Sequence, residues 1–280
     1  MKEKYATLIG LLDDPNPMVG ANVLAELLKH QDDLPELIRE LQESPDPIVR
    51  QRIHQLQAIA SIRRQRHDFA REVRKDNMSL FDVLLGIHLL WYDSDPPGEI
   101  IDSWKKHINA AKKYKPASIA TLARFMRKQE YSAIGDDQFR ADYYCLGCVM
   151  DEKCGAEIIL CCLAAITAAA FKMETRIGSS GKRFYLVDGS GNALSPVNDW
   201  SCTPLPPSLK LYIWDRPSLV RYILSMLFLY AVGSDSFRYI NTIGSCLAEI
   251  ATGKDSLEFL PYPYNKPTDP ENTPDQTDEG

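Results

Sequence analysis

The chain has 280 residues and a mass of 31.6 kDa, with hydrophobic residues at 45% and charged residues at 25%. That is ordinary globular usage, which excludes a collagen, a coiled-coil rod and a mostly disordered chain. A formal net charge of -6 and a pI near 5.5 exclude a global basic footprint, so nucleic acid is not an expected partner.

The opening Met1-Lys-Glu-Lys leads to Asp13 and Asp14 with no apolar signal segment between, so a cytoplasmic protein is expected. Two similar strings follow, Leu11 to Leu28 and Leu41 to Ile59, each a helix end, an acidic-proline turn and a second helix. Pro15 and Pro45 cannot continue a helix, and each pushes the residue before it out of the α region. Asn16 and Asp46 can cap the next helix, with Pro17 and Pro47 at its first position. Val49, Ile53, Leu56 and Ala60 then form an amphipathic stripe. Through Asp14-Pro15-Asn16-Pro17-Met18-Val19 and Ser44-Pro45-Asp46-Pro47-Ile48-Val49-Arg50 the pattern resembles HEAT-like helical repeats. Two repeats bury little surface alone. Residues 1–75 are therefore expected to dock their stripe on the helix from Leu80 to Tyr92 rather than fold independently. Residues 50–75 hold eight Lys/Arg against Asp68 and Glu72; these basic residues are expected to form a solvated face, the rival reading being a patch for nucleic acid or an acidic partner.

The apolar run Leu80 to Tyr92 predicts a buried helix that stops at Asp93-Ser94-Asp95-Pro96-Pro97-Gly98. Amphipathic spacing predicts a helix over Ile100 to Tyr114 and another from Ser118 to Phe125, with a loop at Gly135-Asp136-Asp137. Ile158 through Ala170 is apolar on every face and predicts a central buried helix. The longest strongly apolar stretch, Ile158 to Phe171, is 14 residues long, short of the roughly 20 that a membrane span needs. No membrane partner is expected. Met173 to Gly178 and Arg183 to Asp188 read as strands joined by Ser179-Ser180-Gly181, with Leu209 to Ile213 as a third.

Seven cysteines without an export signal read as reduced thiols. Cys145-Leu-Gly-Cys148 is a C-x-x-C, a candidate redox pair or half of a metal site; the rival reading is buried thiols. A structural zinc needs four ligands, usually from two paired motifs, and a second pair at usable spacing is missing. No metal or cofactor is expected, with Cys145 and Cys148 as the secondary metal candidates.

Pro204-Leu-Pro-Pro207 reads as a linker. Ser218 to Val232 and the stripe Phe237, Ile240, Ile243, Leu247 and Ile250 predict a helical hairpin broken at Gly233-Ser234-Asp235. Residues 261–280, with five Asp/Glu against one Lys and five Pro, read as a disordered acidic tail.

From about residue 75 to 260 this order resembles the SirB-type transglutaminase-like family of bacteria. The resemblance rests on Phe81-Asp82-Val83-Leu84-Leu85 and Asp95-Pro96, on Asp142-Tyr143-Tyr144 with Leu146-Gly147-Cys148-Val149-Met150, and on Lys153-Cys154-Gly155-Ala156-Glu157. Phe184 and Asp188 complete it. It implies a papain-like core at 76–205 with a small antiparallel sheet, then a tetratricopeptide-like hairpin at 206–260. The expected fold is α+β, mostly helical. Papain-like chemistry needs a thiolate, an imidazole and a carboxylate. The resemblance puts the thiol at the central helix N-terminus, where Ala156 and Glu157 stand. It puts the imidazole just before Phe184, where Lys182 and Arg183 stand. Asp188 is the one triad-like residue left, Cys154 is the nearest spare thiol, and all five histidines precede it. The expected function is a non-catalytic interaction or regulatory scaffold with a protein partner. The alternatives are a cysteine hydrolase or acyl-transferase using Cys154 or another displaced thiol, and a C-x-x-C redox or metal protein.

Overall fold

Helices α1 (Ala6–Gly10), α2 (Pro17–Leu27), α3 (Leu34–Leu41) and α4 (Pro47–Arg74) open the computed structural model, which describes residues 4–30, 32–135, 138–206 and 208–251. The two proline turns repeat one chemistry. Asp14 accepts from the Asn16 N–H at 2.7 Å, and Asn16 caps α2 by accepting from Met18 N–H at 2.9 Å. Ser44 accepts from the Asp46 N–H at 3.3 Å, and Asp46 caps α4 by accepting from Ile48 and Val49 at 2.7 and 3.1 Å. Each cap satisfies amides that the first helical turn leaves unpaired.

The chain divides into two units, Met1–Phe69 and Ala70–Gly280. In the first, Val49, Ile53 and Leu56 of α4 are buried in one core with Leu12, Leu24, Leu27 and Leu37, and Ala60 packs against it. This corrects the expectation that the stripe covers the helix from Leu80 to Tyr92: α1, α2 and α3 supply enough apolar surface to bury it. Arg52 is a second correction, because it lies in this unit's interior and not on a solvated face. Its guanidinium donates to the carbonyls of Leu12 at 3.0 Å and Asp14 at 2.6 Å, with longer bonds to Leu11 and Asn16. It thereby satisfies carbonyls where α1 gives way to the turn.

The second unit begins with α5 (Leu80–Trp91), α6 (Pro97–Tyr114) and α7 (Ile119–Lys128); the Ser79 and Ser118 side chains cap α5 and α7, and Pro96 with Pro97 starts α6. Strand β1 (Ser132–Ala133), a 3-10 turn at Ala141–Tyr144 and α8 (Leu146–Glu152) follow. Lys153, at φ 56°, ends α8 in the left-handed region and turns the chain into β2 (Cys154–Gly155), which pairs with β1 in parallel. Helix α9 (Glu157–Ala170) comes next and is almost wholly buried, as its all-round apolar sequence predicts.

β3 (Thr175–Ser180), β4 (Arg183–Asp188), β5 (Asn192–Ser195), β6 (Ser201–Pro204) and β7 (Tyr212–Ile213) form an antiparallel sheet in the order β6-β5-β4-β3-β7. Gly181, at φ +58°, makes the tight β3–β4 turn that a Cβ would strain. β7 falls within the expected strand Leu209 to Ile213, pairs with β3 and completes the sheet. α10 (Arg216–Gly233) and α11 (Phe237–Ile250) end the described chain as an antiparallel hairpin. Helix α9 sits between the sheet, which it meets at β3 and β4, and helices α5 to α8. The fold is therefore α+β and mostly helical with a small antiparallel sheet. Among the described residues no helix is long and apolar enough to cross a membrane. Residues 261–280, read as an acidic tail, lie outside the described residues.

Candidate functional site

The N-terminus of α9 and the start of β4 meet, because α9 packs directly on the β3–β4 hairpin. Glu157, the first residue of α9, accepts from Arg183 Nη1 at 2.5 Å and from the Phe184 N–H at 2.9 Å. Both carboxylate oxygens are thereby engaged. The carboxylate also sits at the positive end of the α9 dipole, where an anion is favoured. The pair ties helix to sheet across 26 residues of sequence.

A groove of about 460 Å³ opens beside this pair, within the usual size of small-molecule and peptide pockets. Aromatic rings line much of it. Phe184 of β4, Trp214 after β7 and Tyr222 of α10 contact one another with centroids 5.3 to 5.8 Å apart. Trp214 is fixed by its indole N–H, which donates to Ser179 Oγ at 2.9 Å. Phe139 and Tyr144 line the groove as a second pair, 5.9 Å apart. Burial raises the Tyr144 and Tyr222 hydroxyls above their usual range, so both stay protonated and able to donate.

The groove wall therefore carries neither a thiol nor an imidazole where α9 meets β4. Cys161 and Cys162 lie one turn along α9 at 0% exposure, and burial drives both thiols far up from their ordinary value. Cys154 is half-buried in β2, three residues before α9 begins. Asp188 closes the far end of β4, about 17 Å from Arg183 at the rise of a strand. It accepts from the N–H groups of Ser190 and Asn192, both at 2.9 Å, and from Asn192 Nδ2 at 3.0 Å. Partial burial works to raise its carboxyl, but these hydrogen bonds prevail and hold it below the usual range. Asp188 thus organises the β4–β5 turn, and the structure does not bring it to Glu157, Arg183 or Cys154.

The C-x-x-C lies elsewhere. Cys145 is the N-cap of α8 and fully buried; Cys148 is half-buried. Burial, with Asp142 nearby, pushes the Cys148 thiol up to about 11. His88 and Asp95 line the same 190 Å³ cleft as Cys148. The sequence offered no signal for this neighbourhood except Gly147. A Cβ there would sit 2.6 Å from His88 Cε1. His88 has both nitrogens committed. Nε2 is 3.0 Å from Asp95 Oδ2, and Nδ1 accepts from the Gly147 N–H at 3.3 Å. With Nδ1 occupied by an amide, the imidazole has no lone pair to take a proton from Cys148. All seven cysteines are free thiols. Among the described residues no three His, Cys, Asp or Glu side chains gather as a metal set.

No family model, no curated protein and no solved structure matches the chain.

Glu157 and Arg183 stand where the resemblance would put a thiol and an imidazole, but sequence reasoning did not foresee that they bond. It also missed the groove, since Tyr222 reads as part of an apolar helix face and Trp214 as a residue between elements.

Proposed function

We propose that the protein is a non-catalytic, transglutaminase-fold interaction or regulatory scaffold that receives an extended peptide in its aromatic groove. The Glu157–Arg183 pair carries this reading. It fills the junction where the resemblance would seat a thiol and an imidazole, and it consumes both carboxylate oxygens. An acid paired in this way offers neither a nucleophile nor a base. The rings beside it supply flat apolar area with protonated hydroxyls at its edge, which suits peptide backbone and proline rings.

A second reading, a hydrolase with a displaced thiol, draws on Cys148 beside His88 and on Cys154. The occupied Nδ1 of His88 weighs against it. A thiol-directed activity probe and amide and γ-glutamyl substrates decide between the two. Turnover is expected at the buffer level, unchanged by Cys154→Ala and Cys148→Ser. Turnover that disappears in either variant would establish the hydrolase instead.

A further inference from the structure

We propose that residues 257–264 of this same chain, Leu-Glu-Phe-Leu-Pro-Tyr-Pro-Tyr, occupy the aromatic groove as a built-in ligand. The inference rests on reading that groove as a peptide site and adds the regulation of it.

The position of α11 is the first support. A Cβ on Gly244 would lie 2.9 Å from the Phe228 ring, so those two residues face each other across the α10–α11 hairpin. The helices run antiparallel with the same rise per residue. Six residues on from Gly244 and six back from Phe228, Ile250 draws level with Tyr222. Tyr222 lines the groove. The described chain thus ends at Ala251 beside the helix whose other residues, Tyr222 and Met226, wall the site. The six residues from Ala251 to Leu257 can span about 20 Å, more than a helix diameter.

The chemistry of the segment is the second support. Leu257, Phe259, Leu260, Pro261, Tyr262, Pro263 and Tyr264 form the densest apolar run after α11. Alternating Pro and Tyr favour the polyproline II conformation, which aromatic grooves bind at low entropic cost. Proline brings no N–H to be desolvated. The Tyr144 and Tyr222 hydroxyls can donate to its carbonyls. Charge does not oppose this: the one charge of the segment is Glu258, and the groove wall carries Lys182 and a Glu157 already bonded to Arg183.

Tethering completes the case. A short linker gives an effective concentration near millimolar, so a contact with a Kd of about 0.1 mM fills about nine grooves in ten. An external peptide must then displace the segment, and its apparent affinity falls by the fraction of grooves left open.

The test uses the full chain with Tyr262→p-benzoylphenylalanine, irradiated at low concentration and mapped by mass spectrometry. Cross-links within one chain to residues 179–184 and 214–226 are expected, and the same photoprobe in place of Asp278 should give none there. Cross-links elsewhere, or only in covalent dimers, overturn the proposal; the dimers would make a second copy the occupant. A synthetic 257–264 peptide supplies the second measurement. It should bind the full-length variant Leu260→Asp, Pro261→Ser, Tyr262→Ser, Tyr264→Ser at least tenfold tighter than the unaltered chain. Adding Trp214→Leu should abolish that binding. Equal binding to the altered and unaltered chains would show that the tail does not compete, while leaving the groove a peptide site. No binding to either, with no groove cross-links, would remove both readings.

Discussion

His107 shows how one buried side chain ties stability to pH. It lies 5% exposed between Tyr131 and Thr167. Thr167 gives its proton to the Leu163 carbonyl at 2.7 Å, so its oxygen accepts from His107 Nε2 at 3.0 Å. His107 Nδ1 then accepts from the Tyr131 hydroxyl at 3.2 Å, and Tyr131 accepts from Lys153 at 3.0 Å. Every proton in this chain runs one way, and protonating Nδ1 would break it. Burial first, and the Lys153 charge second, lower the imidazole to about 4. The unfolded chain protonates it near 6.5, so below that pH the unfolded state binds more protons. Stability is therefore full above pH 6.5 and falls as pH drops towards 4, by about 3 kcal/mol. The difference in urea midpoint between the wild type and His107→Phe should shrink over that window. A constant difference would mean that the imidazole does not titrate there. Gly20 is the other position where a single atom decides. An added Cβ would lie 2.4 Å from Arg52 Cζ, and four carbonyls pin that guanidinium. Alanine normally favours a helix interior by about 1 kcal/mol over glycine. Here Gly20→Ala should instead lower stability by about 1–3 kcal/mol, because displaced Arg52 leaves buried carbonyls unpaired. Gly10→Ala, with nothing within 4 Å of its Cβ, is the control and should not destabilise.

Among the elements, the joint between α9 and β4 has the largest consequence. Glu157 is a first-turn acid, a partner of Arg183 and the acceptor for the Phe184 amide. Its side chain is 11% exposed and that of Arg183 39%, so solvent screens the pair only in part. Glu157→Ala strands both donors and should lower stability by about 1–3 kcal/mol. Glu157→Gln keeps one acceptor oxygen and should cost less; equal losses would show that charge alone matters. The elements on either side of this joint differ in how far the sequence exposes them. Helices α2, α4, α5, α6 and α9 to α11 declare themselves through apolar period, helped at α2, α4, α5 and α10 by the capping side chains Asn16, Asp46, Ser79 and Asp215, because those signals are local. The β3–β4 hairpin is legible for the same reason, through β-rich residues around Ser179-Ser180-Gly181. β5 and β6 are not. Asn192–Ser195 and Ser201–Pro204 are four residues each, set in a Gly, Ser and Asp context that reads as loop. Only pairing makes them strands, β5 with β4 and β6 with β5. Trp200 is hidden likewise. It is fully buried at φ 55° with its indole donating to the Tyr131 carbonyl at 2.6 Å, a partner 69 residues away. The groove shares that limit, since Phe184, Trp214 and Tyr222 converge only when β7 crosses beside β3. The sequence likewise gives no sign that Glu157 and Arg183, 26 residues apart, form an ion pair.

At the scale of the whole molecule, the division at Phe69 raises the question of whether the first unit folds unaided. A two-turn repeat pair would lean on its neighbour if its apolar stripe were uncovered. The stripe is covered. Leu12, Ile53 and Leu56 are at 0% exposure and Leu27 and Leu37 at 1%, all in one core built from α1 to α4. Arg52 adds its bonds to the carbonyls around the first proline turn, and the Tyr5 hydroxyl joins Asp33. Both contacts lie inside the unit. Domains of this size rarely exceed about 3–5 kcal/mol of stability. An isolated fragment of residues 1–75, which retains the whole of α4, should therefore be helical by circular dichroism and melt cooperatively, with a low midpoint. Ile53→Asp in that fragment should abolish the transition, because a carboxylate would enter the centre of this core. A fragment that is unfolded at low temperature would show that this core is too small to offset the chain entropy of its helices. The same measurement bears on the basic residues of α4. If the fragment folds, their salt-dependent binding to an anionic polymer can be read from the first unit alone, and a bare solvated face predicts none at physiological ionic strength.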